Sequence, residues 1–218
     1  MYPLLGLSFV AIVTIVERLM AFRQYGDVSS ELLATVLSYI RAGRYDEALT
    51  ESEKRRGPLA ASVAVIIRRR AQPTHEIERV VEETGQDYFL RLERFLPILD
   101  TTTTIAPLLG LLGTVFGMIG AFNAIALQAG RGNNDAVLAG VGQALFSTAT
   151  GLIIAVMCFG FYNYFAARLR NIVSQTEQGA TKLINALTDR QYVERGGLPG
   201  NPIPDEIGLE DRHEVQAS

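Results

Sequence analysis

Two long apolar stretches of the 218-residue sequence contain many side-chain hydroxyl groups and one amide. The groups are Thr101 to Thr104 and Thr114 in the first stretch, and Gln143, Ser147, Thr148 and Thr150 in the second. None of these groups gains or loses a proton near neutral pH, but each donates and accepts hydrogen bonds. Their chemistry is therefore suited to holding water, or a carboxylate, along a path through apolar surroundings.

A purely structural role is the competing interpretation of these hydroxyls. A Thr in a membrane helix commonly bonds the backbone carbonyl one turn earlier, and small residues there commonly serve packing. For any single Thr we favour that interpretation. The number of hydroxyls, together with Gln143, exceeds what the packing of two helices requires, and this excess favours a wet path.

The sequence offers little for enzymatic chemistry. Cys158 is the single cysteine, so neither a disulfide framework nor a zinc site is available. His75 and His213 lie far apart, and the apolar stretches contain no cluster of His, Cys and carboxylate side chains. We therefore predict no catalytic residue, no metal and no cofactor, and a membrane enzyme or a stand-alone solute transporter is the weakest functional hypothesis.

Membrane helices are the elements that must position the hydroxyls. Hydrophobic residues make up 48% of the chain, and no charged residue occurs in 1–16, 101–130 or 136–167. The last two runs are each about 30 residues long, more than the roughly 20 that cross a bilayer. We predict an all-α membrane protein with transmembrane helices at 1–20, 96–127 and 136–167.

The first span is the shortest, at about 24 Å for its sixteen uncharged residues, and it places Glu17 and Arg18 at the membrane interface. A signal peptide is the alternative. No basic segment precedes the apolar run and no A-x-A cleavage pattern follows it, so we favour a true membrane helix.

The basic residues predict the orientation of the chain. Thirteen of the twenty Lys and Arg residues lie between 17 and 96, six follow 167, and Arg131 is alone in the 128–135 loop. The positive-inside rule therefore places the N-terminus and this loop in the periplasm, and the C-terminus in the cytoplasm. The 17–96 segment also contains thirteen acidic residues, so nucleic acid is not an expected partner.

The cytoplasmic domain at 21–95 is predicted to be helical, with a break at Gly43 and a long helix from Thr74 as its N-cap. Helical periodicity continues from Thr74 into the second span without a stop signal, and from the third span through a cytoplasmic helix at 168–193. We therefore expect the second and third membrane helices to extend into the cytoplasm as helices of about 50 residues. The remaining residues, 194–218, are rich in Gly, Pro and charge and predict a flexible tail.

Small residues occupy one face of each of the last two spans. The first set is Thr103, Pro107, Gly110, Thr114, Gly117 and Ala121, with Ala106, Gly113 and Gly120 beside it, and the second is Gly140, Ala144, Ser147, Gly151, Ala155 and Cys158, with Thr148 at its border. Membrane helices approach closely at such faces, so Gly110, Gly113, Gly117 and Gly151 are predicted helix-packing residues. Three helices cannot enclose a pore alone, which predicts a homo-oligomer.

Three segments together resemble the ExbB/TolQ/MotA proton-channel family, and its ExbB and TolQ branch most closely. They are ERLMAF at 17–22, LDTTTTIAPLLGLLGTVFGMIGAF at 99–122 and VGQALFSTATGLIIAVMCFGFYNYF at 141–165. The resemblance covers roughly Leu4 to Leu187 in the same order and spacing.

The resemblance implies an inner-membrane ring, a pentamer in the better-known cases, around the single membrane helix of a small ExbD- or TolR-like partner. It implies that the proton-motive force drives protons through this assembly, and that motion passes to a TonB- or TolA-like protein. Protons are favoured over sodium as the coupling ion.

The resemblance also assigns roles to individual residues. Thr114 and Thr148 correspond to the family's pore-lining hydroxyls, and Ser147, Gln143 and Thr103 complete the predicted proton path. Asp100 is a candidate entrance for protons, with an interfacial charge at a helix end as an equally good interpretation. Because a proton relay needs an ionisable group at depth and this chain has none there, we expect an Asp in the partner's span to supply it.

Two positions depart from the family pattern. Gln143 stands where many members have a Glu, and an amide cannot carry a proton. Met157 stands where a Pro is usual, which predicts a straighter third helix. The first departure keeps open a second hypothesis, a membrane scaffold of the same fold that does not conduct.

Overall fold

The computed structural model describes residues 2–25, 30–127 and 134–194, which form seven α-helices and no strand. The helices are α1 (Tyr2–Tyr25), α2 (Ser30–Arg41), α3 (Tyr45–Glu53), α4 (Pro58–Arg68), α5 (Thr74–Glu93), α6 (Leu96–Leu127) and α7 (Asn134–Glu194). The predicted flexible tail, apart from Glu194, and most of the predicted 128–135 loop lie outside the described residues.

Three helical segments are long and apolar enough to cross a membrane: Pro3–Gln24, Thr74–Asn123 and Val137–Val193. Large apolar side chains cover their outer surfaces, and Phe9 and Val156, for example, are 69% and 70% exposed. Apolar surface of this extent suits lipid rather than water. The all-helical fold and these three helices fit a membrane protein, as the sequence predicts.

A hydrophobic core joins α2, α3, α4 and α5 to the C-terminal part of α7. Its fully buried side chains include Val36, Ile40, Val63, Ile66 and Leu183. The break between α2 and α3 passes through Gly43 at a φ of 75°, a backbone conformation that favours glycine, so the predicted interruption there is confirmed.

The helix that begins at Thr74 and the second span form one helical segment, Thr74–Asn123, with a short interruption inside it. The first part, α5, ends at Glu93, and α6 begins at Leu96 after a two-residue turn. Pro97 accounts for the break, because proline has no N–H to donate to the Glu93 carbonyl and restricts the residue before it. The expected helical segment of about 50 residues is confirmed, whereas the expectation that nothing interrupts it is wrong at residues 94 and 95.

The predicted N-cap at Thr74 is also wrong. Pro73 occupies the N-cap position, Thr74 is the first helical residue, and no side chain caps this helix end.

The longest element, α7, is one uninterrupted helix of 61 residues that passes through Met157. At 1.5 Å per residue it is about 92 Å long. Near its midpoint Phe165 is fully buried and stacks on Phe22 of α1, with ring centroids 5.3 Å apart. The same helix therefore packs on α6 and α1 at one end and on the helical domain at the other.

Candidate functional site

The small faces of α6 and α7 pack directly against each other. A Cβ atom placed on Gly151 would lie 2.6 Å from the carbonyl oxygen of Ala106, and one on Gly110 would lie 3.1 Å from the carbonyl oxygen of Ser147. Two backbones come this close only where side chains are absent. An alanine at Gly151 would therefore require the helices to separate.

The contact continues along the next two turns of α6. A Cβ atom on Gly113 would overlap the hydroxyl group of Ser147, and one on Gly117 would lie 2.9 Å from the Cβ of Ala144. Gly120 differs from these glycines, because nothing lies within 4 Å of the corresponding position. At Gly140 of α7, a Cβ atom would lie 2.9 Å from the Cβ of Ala121. The close contact thus extends from Gly151 to Gly140 along α7 and leaves Gly120 of α6 in open space.

Ser147 lies at the centre of this contact with an unsatisfied hydroxyl group. The residue is 3% exposed, and its Oγ atom has no hydrogen-bond partner among the described residues. A buried polar atom without a partner is rare in native structures and marks a place where water or another chain can bind.

Thr148 is the hydroxyl residue that links the two helices. Its Oγ1 donates a hydrogen bond of 3.2 Å to the carbonyl oxygen of Gly110, which lies on α6. By contrast, Thr114 donates to the carbonyl of Leu111 on its own helix, at 2.6 Å. The side chains of Thr101, Thr102, Thr103 and Thr150 also bond carbonyls of their own helices.

A groove of about 510 Å³ opens beside the unsatisfied hydroxyl. It is lined by Gly113, Phe116, Gly117, Gly120, Ala121, Ala139, Gly140, Gln143 and Ser147. Gln143 is exposed there, one helical turn before Ser147. The groove therefore combines one amide and one free hydroxyl with walls of small residues, and it can hold water or the side of another helix.

Of the predicted path residues, Gln143 and Ser147 line the groove, whereas Thr114 and Thr148 do not. Two others lie farther away. Asp100 and Thr103 are in the first turns of α6, and Thr103 donates a hydrogen bond of 2.6 Å to the carbonyl of Asp100. From Asp100 to Thr114 is about 21 Å along the helix axis. The carboxylate of Asp100 is exposed and forms no ion pair within the part of the chain that the structure describes. The structure thus separates the candidate entrance from the groove.

The structure adds Arg18, which the sequence analysis places at the membrane interface. Arg18 is only 2% exposed, its guanidinium forms an ion pair with Glu17, and it lies over the ring of Phe95 at 4.9 Å. Two backbone carbonyls, those of Arg91 and Leu92, accept hydrogen bonds from it. The signal in the sequence is an adjacent Glu and Arg at the end of an apolar helix.

No group of three or more His, Cys, Asp or Glu side chains able to hold a metal ion occurs among residues 2–25, 30–127 and 134–194. The functional features of the described chain are thus the close helix contact, its hydroxyls and the groove.

Comparison with known proteins matches residues 52–178 to the MotA/TolQ/ExbB proton channel family. A biopolymer transport protein of Synechocystis sp. named ExbB-like 3 is 31% identical over 165 residues, which are 75% of this chain and 78% of that protein. The biopolymer transport protein ExbB of Xanthomonas campestris is 31% identical over 49% of this chain and 42% of its own length. The Tol-Pal system protein TolQ of Pseudomonas aeruginosa is 34% identical over 39% of this chain and 36% of its own. With a close helix contact built from the motifs at 99–122 and 141–165, the chain belongs to the MotA/TolQ/ExbB proton channel family, in its ExbB/TolQ branch.

Proposed function

We propose that this chain is a subunit of an energy transducer of the bacterial inner membrane that is driven by the proton-motive force. One observation carries the proposal: a member of a proton-channel family has no Asp, Glu, His, Lys or Arg between Thr101 and Gly130 or between Ala136 and Ala167. Proton transfer through a membrane depends on such a group at depth. The missing carboxylate therefore belongs to another polypeptide.

The partner in this proposal is an ExbD- or TolR-like protein whose single span contains an Asp. Five copies of this chain form a ring around the partner's span. Each copy has its N-terminus in the periplasm and its C-terminus in the cytoplasm. Proton passage moves the partner, and a TonB- or TolA-like protein receives the motion. The role of the chain itself is conduction and energy transduction rather than catalysis.

The proton path in the proposal runs along α6 and α7. Thr114, Thr148, Ser147, Gln143 and Thr103 line it, and Asp100 is the entrance. The free hydroxyl of Ser147 and the exposed amide of Gln143 support this assignment, because both have hydrogen-bonding capacity left for water or for the partner's carboxylate.

The test is proton flux into lipid vesicles that contain the chain together with its co-purified partner. A Thr148→Val variant keeps the shape of the side chain but removes the hydroxyl, and the flux should fall by about tenfold or more, a barrier increase of roughly 1.4 kcal/mol. The matched control is Thr150→Val, since Thr150 donates to the carbonyl of Phe146 on its own helix and does not line the groove.

The outcome that rejects the proposal is equal flux for the wild-type chain and Thr148→Val, or flux from the chain without any partner. Replacement of the partner's Asp by Asn should abolish the flux, whereas a sodium gradient should produce none in either case.

A second candidate function, a scaffold that does not conduct, is favoured by Gln143 alone. Under this alternative a Thr114→Val, Thr148→Val double variant retains full partner function in the native host. Loss of that function in the double variant, with the assembly intact, excludes the scaffold.

A further inference from the structure

A basic groove lies between α2 and the last turns of α7, at the end of the helical domain. Its volume is about 440 Å³. From α2 it is lined by Leu37 and Arg41, and from α7 by Lys182, Asn185, Asp189 and Arg190. The groove is remote from the membrane segments, because Lys182 lies 14 residues, or about 21 Å, beyond Arg168 along the helix.

The groove has more positive than negative charge. Arg41, Lys182 and Arg190 line it, whereas Asp189 is its single carboxylate. Within the described residues, neither Arg41 nor Lys182 forms an ion pair, and both are exposed.

Four other surface cations of the domain are already paired. They are Arg44, Lys54, Arg55 and Arg68, and each contacts a glutamate. In the groove, by contrast, Arg41 and Lys182 lie on facing elements and are available to an acidic ligand.

The chain itself contains an acidic segment of suitable length. Residues 205–214 read DEIGLEDRHE, with five carboxylates against one Arg, and they also contain Ile207 and Leu209. Leu37 and Val193 give the groove apolar wall positions that suit these two side chains. The segment thus matches the groove in both charge and hydrophobicity.

The segment can reach the groove without strain. Val193, which lines the groove, is next to the last residue of α7, and Asp205 follows Glu194 by eleven residues. Eleven residues span at most about 36–40 Å, whereas Lys182 lies only about 18 Å back along α7.

We propose that residues 205–214 dock in this groove of the same chain, with their carboxylates against Arg41 and Lys182. Exposed ion pairs are individually weak. A ligand tethered to its own site has an effective concentration in the millimolar range, so several weak pairs suffice to keep the groove occupied. The proposal does not depend on proton conduction, and its consequence is that an acidic segment of any partner must displace residues 205–214 to bind here.

Distance measurements between two labels on the full-length protein test the docking. The labels are attached at Gly208→Cys and at Ser38→Cys, which is exposed beside Leu37, in a Cys158→Ala background. We expect a short distance at low ionic strength and a longer one at about 1 M salt, where charges more than about 3 Å apart are screened.

Matched variants identify the groove as the binding site. Arg41→Gln with Lys182→Gln should lengthen the distance at low salt. Arg168→Gln with Arg170→Gln removes the same charge from an exposed part of α7 and should leave it short. Neutralising Glu206, Glu210 and Asp211 leaves every residue of the groove unchanged and should lengthen the distance in the same way as the groove variant.

Two results overturn the proposal. One is a distance that is unchanged by salt and by the groove variant. The other is a short distance only when the two labels are on different copies, because the occupant would then be the acidic segment of a second copy.

Discussion

Arg18 of α1 donates a hydrogen bond of 2.7 Å to the backbone carbonyl of Leu92 in the last turn of α5. A second hydrogen bond, of 2.9 Å, goes to the carbonyl of Arg91. The last carbonyls of a helix lack partners within the helix, and a positive charge at that end is favoured by the helix dipole. The first membrane helix is thereby attached to the point where the helical domain meets α6.

Replacing Arg18 by Met should destabilise the protein. Both carbonyls lose their donor while the rest of the side chain remains apolar, and the free energy of unfolding should fall by about 2–4 kcal/mol. The measurement is the thermal unfolding midpoint of the detergent-solubilised protein.

Arg23→Met is the control, because Arg23 is an exposed residue of the same helix. Equal shifts of the unfolding midpoint in the two variants would contradict the role assigned to the buried guanidinium.

Gly113→Ala should weaken the α6–α7 contact, because the added Cβ overlaps the Ser147 hydroxyl. Inserting a methyl group into close packing costs about 1–3 kcal/mol. Gly120→Ala adds the same group where nothing lies within 4 Å and should be tolerated. If Ser147→Gly does not restore the stability of the Gly113→Ala variant, this explanation is wrong.

Gly151→Ala should be more damaging than Gly113→Ala. Its Cβ would meet a backbone carbonyl, that of Ala106 at 2.6 Å, and no side-chain change can relieve that contact. We expect loss of the folded protein from the membrane fraction on expression. Gly160→Ala, in open space on the same helix, should accumulate normally, and a similar loss for both variants would point to a cause other than helix contact.

Ser147→Ala should leave the stability unchanged or raise it by about 1 kcal/mol, since removing an unpaired buried hydroxyl removes its desolvation cost. Thr148→Val should instead lower the stability by about 1 kcal/mol through loss of the bond to Gly110. Chemical denaturation in mixed micelles measures both. A marked destabilisation by Ser147→Ala would mean that its hydroxyl is paired in the membrane.

The packing faces of the membrane helices are accessible from sequence, because the helical period alone places small residues on a common side. This side includes Gly110 and Gly117 on α6, and Ala144 and Gly151 on α7. All four residues lie within the α6–α7 contact. The helical period does not predict which carbonyl accepts the hydrogen bond of a given hydroxyl. Thr114 turns to its own helix and Thr148 to its neighbour, and this choice depends on the local distance between backbones.

Interactions between remote parts of the chain are harder to predict. Arg18 and Leu92 are 74 residues apart, and the adjacent Glu17 and Arg18 at the end of an apolar helix indicate an interfacial charge but neither its burial nor its partner. The interruption after Glu93 follows from Pro97, which has no N–H to bond the carbonyl four residues earlier. Hydrophobic periodicity does not report this lost hydrogen bond.

Because α7 is uninterrupted, the half that packs on α6 and the half that packs on the helical domain belong to one helix, so their side chains keep a fixed angular relationship. One residue inserted after Ala167 would turn Leu183 and Leu187 by about 100° relative to Thr148, away from the core they occupy. Seven inserted residues would nearly restore the angle, to within about 20°, but would displace that core axially by about 10 Å. As long as α7 stays one helix, a rotation at Thr148 also turns Leu183 and Leu187 within the core of the helical domain.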